Sequence, residues 1–144
     1  MTAADQAARR AKRQALPQFR NIGIDQILRY RMPPPALVSI LHRVSGVLMF
    51  LIGIPFILYL LQKSITSELS FQTYRAVVAS WPAKLVLLAL IWGFFHHLLA
   101  GIRFLVLDLH IGTERESAAR SARVVLGLSI LLTLVAAGFL FGLL

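Results

Sequence analysis

The sequence predicts an all-α membrane protein with three transmembrane helices, N-terminus inside and C-terminus outside, built to be part of a heteromeric helix bundle. Three observations carry that expectation. Of 144 residues, 58% are hydrophobic and only 15% charged, with a mean hydropathy of +0.74, far from the balance of a soluble domain. Three stretches lack charge altogether, Val44 to Leu61, Leu85 to Ile102 and Val124 to Leu144. Each reaches the ~18 to 20 residues that cross a hydrocarbon core about 30 Å thick. The cations are also unevenly spread. Eight occur up to Arg43, three in the first connection (Lys63, Arg75, Lys84), four in the second (Arg103, Arg115, Arg120, Arg123) and none at the C-terminus. With an odd number of spans, retention of cations on the inner side sets the orientation.

Residues 1–35 are expected to form a basic tail on the inner side, and residues 36–144 the three-span anchor, with spans at about 36–61, 83–109 and 122–144. The formal charge of +9 does not point to nucleic acid, because the tail's basic residues alternate with alanine and glutamine directly before a membrane span. A cleavable signal peptide places a short basic region against a short apolar core, whereas here more than forty residues precede the first apolar run. The Arg-rich start, with Asp5 its only nearby acid, also fits a mitochondrial transit peptide. The mitochondrial inner membrane is therefore the alternative to a bacterial inner membrane.

The first span follows Pro33, Pro34 and Pro35, where missing amide donors cost little, so its helix is expected to begin near Ala36. Pro55, in its interior, is expected to bend it. Glycines inside the spans, such as Gly53, Gly93 and Gly127, are tolerated in lipid because the alternative to helix is unpaired backbone. Ser39, His42, Arg43 and Gly46 fall at i, i+3, i+4 and i+7, placing a hydroxyl, an imidazole and a guanidinium on one stripe. Singly these residues have ordinary explanations. Arg43 and His42 snorkel to headgroups, and Ser39 bonds its own backbone one turn back. Together they make a polar stripe that faces something polar.

The second span contains His97, with no charged side chain back to Lys84 and none ahead until Arg103. Ionisable groups at such depth are expensive and mark pathways, relays or cofactors, and neutral imidazole is a common iron ligand. Gly93, His97 and Gly101 share one face, with Phe94, Phe104 and Asp108 close to it. That face fits two roles equally: a slot that lets a flat haem approach its ligand, or a small-xxx-small packing face on which His97 bonds a neighbouring helix. His96 lies about 100° away, on the side of Trp92, Ala100 and Arg103, so the two imidazoles cannot grip opposite faces of one iron. His42 and His110 both fall near the inner boundary. A second axial ligand is therefore expected from a partner subunit or a second copy. Arg103 ends the span at the inner boundary, on the order of 9 Å beyond His97, level with Arg43 and within reach of haem propionates.

The chain has no cysteine, which excludes disulfides, thiolate-bound clusters and covalent c-type haem attachment. Asp108, Glu114 and Glu116 read as solvated charges of the second connection. The third apolar run, Val124 to Leu144, has no charged residue.

Ser39-Ile40-Leu41-His42-Arg43-Val44-Ser45-Gly46 resembles the S-x-x-H-R-x-[ST]-G signature of the cytochrome b membrane-anchor subunit of succinate dehydrogenase. His97-Leu98-Leu99-Ala100-Gly101-Ile102-Arg103, with Asp108, is similar to that family's H-x-x-x-G-I-R-[HF]-x-x-x-D. The resemblance covers about Leu28 to the C-terminus. It implies His97 as the axial ligand of haem b, with the other ligand from a second membrane-anchor subunit. It further implies Ser39 and Arg43 at a ubiquinone site, and His42 with Arg43 on the haem propionates. A flavoprotein subunit and an iron–sulfur subunit would oxidise succinate and feed electrons to this chain, which would not oxidise succinate itself. Two departures stand out. Phe104 occupies the place where many members carry a second histidine, and Arg31-Met32-Pro33-Pro34-Pro35 replaces a common R-P-x-S-P-H segment. Two alternatives remain at this level: a non-haem scaffold subunit with His97 as interhelical glue, and the anchor of a fumarate reductase working with menaquinone.

Overall fold

The computed structural model describes residues 4–6 and 23–143. Most of the tail's cations, Arg9 to Arg20, lie outside the described residues. A short helix, Ile24–Arg29, belongs to an N-terminal unit, and the bundle is a separate unit beginning at Met32.

Three helices of the bundle are long and apolar enough to cross a membrane: Pro34–Ile65, Trp81–Asp108 and Arg115–Phe141, of 32, 28 and 27 residues. Among the described residues there is no strand. The first span starts at Pro34 rather than Ala36, with Pro33 as its N-cap in extended conformation, which uses proline's missing donor at the helix start. The second opens on Ser80 with Pro82 in its first turn. The third begins seven residues before the expected position 122, because Arg115 to Arg120 continue the helix beyond the apolar run.

At Pro55 the first span yields in a defined way. Residues Met49–Gly53 form a π-helical turn, with the Ile54 amide donating to the Met49 carbonyl. A proline ring clashes with the carbonyl four residues back in a regular α-turn, and widening the turn just before it relieves that contact. The first connection also contains a helix, Glu68–Ala79, that the apolar pattern did not announce. Its start is closed by a reciprocal pair: Ser67 Oγ accepts from the Ser70 amide at 3.2 Å and Ser70 Oγ accepts from the Ser67 amide at 2.9 Å. The second connection is tight. The second span ends with His110 in the left-handed region (φ 60), and the amides of His110 and Ile111 return to the carbonyls of Leu107 and Val106.

The second span packs against both others. Small side chains set the approach: Ala100 and Ala122 are fully buried beside Val38 and Val125, with Leu99, Phe104 and Leu126 around them. Many other large apolar side chains, among them Phe50, Leu105, Leu134 and Phe139, are exposed, as contact with lipid or neighbouring subunits requires.

A candidate haem and quinone site

Because the first span begins at Pro34, His42 lies two turns inside it rather than at its edge. It therefore sits at the depth of His97, not nearer the boundary as the sequence indicated. The two imidazoles stack, centroids 4.0 Å apart and planes 13° from parallel. Rings stacked face to face do not approach a single metal from opposite sides, so the pair still offers one axial ligand. Phe104 meets His42 edge-on at 5.2 Å, so an aromatic contact occupies the place of the family's second histidine.

The first span builds a socket for the His97 ring. His97 Nδ1 lies 3.0 Å from the His42 carbonyl oxygen. A carbonyl only accepts, so Nδ1 carries the proton and Nε2 keeps its lone pair. Ser45 Oγ, fully buried, donates to the same carbonyl at 2.9 Å and stands 3.3 Å from Nδ1. Nε2 has no protein partner among the described residues. Gly46 completes the socket, since a Cβ there would stand 3.0 Å from His97 Cε1. Metal-bound histidines have this arrangement: one nitrogen donating to a carbonyl, the other free for the metal.

The glycines flanking His97 serve the first span. A Cβ on Gly93 would meet Leu48 at 3.4 Å, and one on Gly101 would meet His42 Nε2 at 3.7 Å. The small-residue face is thus an intrachain packing face, and the orientation of the His97 ring comes from that packing.

Ser39 is half-buried and Arg43 exposed on the same stripe as His42, and neither side chain has a hydrogen bond or ion pair among the described residues. Their hydroxyl and guanidinium remain available to a ligand. Arg103 does not join Arg43. Its Nε donates to Ser121 Oγ and its Nη2 to the Ala118 carbonyl, both at 3.0 Å, turning it toward the third span. The physical reason is angular: Arg103 shares the side of His96 and Ala100, away from the first span's polar stripe.

His96 ties the bundle together. It is fully buried, its Nδ1 lies 3.4 Å from Ser129 Oγ of the third span, and the Val38 backbone faces it from the first. Its Nε2 has no hydrogen-bond partner among the described residues. Adjacent histidines thus have separate surroundings, His97 against the first span and His96 among all three. Ser45 was visible only as a letter of a motif, and Gly46 only as a member of the stripe. Their spacing to His42 was the available signal, but assigning them to His97 requires knowing how the spans pair.

A family model described as the succinate dehydrogenase/fumarate reductase transmembrane subunit matches residues 23–136. The succinate dehydrogenase cytochrome b556 subunit of Paracoccus denitrificans is 34% identical over 106 residues, 74% of this chain and 81% of that protein. The protein of the same name from Coxiella burnetii is 34% identical over 91 residues, 62% of this chain and 71% of its own length. With three membrane-length helices and both signature strings in place, the chain belongs to the succinate dehydrogenase/fumarate reductase transmembrane subunit family.

Proposed function

We propose that this chain is the cytochrome b anchor of a succinate dehydrogenase in a bacterial inner membrane. It binds haem b through His97 Nε2, with a second membrane-anchor subunit supplying the other axial ligand, and passes electrons from an iron–sulfur subunit to ubiquinone. The supporting observation is the His97 Nδ1 bond to the His42 carbonyl, which fixes the tautomer a metal ligand needs. A flavoprotein subunit oxidises succinate. Haem b, when bound, supplies a one-electron store between donor and acceptor.

The chain's own residues do the rest. His42 and Ser45 orient the imidazole, and the stacked His42 ring and exposed Arg43 place donors where propionates would be paired. Ser39 donates its hydroxyl to a quinone carbonyl. Arg43 places positive charge beside the negative charge that develops on the quinone oxygen during reduction.

A dithionite-reduced spectrum of the purified complex tests the assignment, with a sharp b-type band as the expected result. A featureless spectrum refutes it and leaves His97 as interhelical glue. Ser45→Ala removes one acceptor from Nδ1, making the imidazole a weaker electron donor, and raises the haem reduction potential. Ser45→Thr, which keeps the hydroxyl, restores it. Equal potentials in the alanine and threonine variants would deny Ser45 this role.

A further inference from the structure

Arg103 poses an unsolved charge problem. It is 7% exposed and its guanidinium lies 5.6 Å from the Phe104 ring centroid, yet both of its hydrogen bonds go to neutral acceptors, Ser121 Oγ and the Ala118 carbonyl, and among the described residues it has no ion pair. Guanidinium has five N–H donors, so three remain without a protein acceptor. Buried charges are ordinarily paired, because an uncompensated one loses its hydration without a return.

The space beside it shows where a counter-charge would come from. Arg103 lines a recess of about 450 Å³ between the end of the second span and the start of the third. Ile102, Val106 and Val124 form apolar walls, and exposed Arg120 and Ser117 stand on the third-span side. None of the nearby acids, Asp108, Glu114 or Glu116, lines it. Two cations and two hydroxyls, those of Ser117 and Ser121, beside apolar walls and next to the turn joining two membrane-spanning helices match a molecule with an anionic head and a hydrocarbon tail.

We propose that this recess is a binding site for one anionic phospholipid. Its phosphate accepts from Arg103 and Arg120, and its acyl chain lies along Ile102, Val106 and Val124. Basic pockets between transmembrane helices recognise anionic headgroups by this combination, and the bidentate fork of arginine suits phosphate oxygens. The site is separate from the haem and quinone residues: Arg103 turns to the third span, whereas His97 and Arg43 belong to the contact with the first or to its exposed stripe.

The test uses the intact complex in detergent micelles doped with phosphatidylglycerol, with retained lipids counted by native mass spectrometry. Arg103→Gln and Arg120→Gln should each weaken retention of one phosphatidylglycerol by about tenfold, the equivalent of one charge-assisted hydrogen bond. Arg115→Gln, at the start of the same helix as Arg120 but outside the recess, should leave it unchanged. Phosphatidylcholine and inorganic phosphate should not compete. Should Arg103→Gln fail to assemble, the exposed Arg120 carries the comparison alone. Equal retention in the Arg120→Gln and Arg115→Gln complexes overturns the proposal, as does a carboxylate from another subunit seated on Arg103.

Discussion

Replacing His97 with alanine is expected to abolish the reduced b-type band of the assembled complex, or to move it to a form with a weaker ligand. Neither His42 nor His96 stands ready to substitute. His42 stacks on the His97 ring and presents its own carbonyl as the orienting acceptor, and His96 is enclosed among the three spans with zero exposure. The measurement is haem content per complex together with the difference spectrum. A variant retaining full haem and an unchanged band would show that the iron is held elsewhere. Gly46→Ala gives a graded version of the same effect. The added methyl comes within 3.0 Å of His97 Cε1, tighter than ordinary contact, so the ring must tilt and haem retention should fall while the three spans stay intact.

The second large effect is expected at Arg43. Arg43→Leu removes a charge that has no other partner among the described residues, so the loss falls on a ligand rather than on the fold. If the guanidinium stabilises the charge developing on the quinone oxygen, one charge-assisted hydrogen bond of about 1.5–3 kcal/mol is lost from the transition state, roughly tenfold to a hundredfold in kcat/KM for quinone. Succinate oxidation with a soluble artificial acceptor should stay near the wild-type rate. Ser39→Ala should show the same separation with a smaller loss, since a neutral hydroxyl contributes about 1 kcal/mol. Parallel loss of both activities would instead mean failed assembly.

Sequence and structure agree best where a single property decides the outcome. The three spans were legible because uncharged runs of that length have few other fates in water or lipid. The helix Glu68–Ala79 was not, because its start relies on a Ser67–Ser70 exchange instead of the Glu or Gln that marks a capping box, and its sequence is too polar to stand out. The stripe Ser39, His42, Arg43, Gly46 was legible from helical spacing. Its partners were not. Whether His42 would contribute its ring or its carbonyl, and which span Arg103 would face, depends on how helices pair, and spacing within one helix contains no information on that. The glycines beside His97 show the same limit: spacing identified a close-approach face, while the structure identifies the first span as what approaches it.

The widened turn at Met49–Gly53 separates the first span into two stretches of regular α-helix, Pro34–Leu48 and Ile54–Ile65. The first contains the whole polar stripe and the socket around the His97 imidazole, and the second contains no residue assigned to either. A π-turn takes up one residue more than an α-turn in about the same rotation, so loss of a single codon within it would restore a regular α-turn and leave both halves of the span in phase. The span can therefore gain or lose one residue at this point without turning either half away from its neighbours.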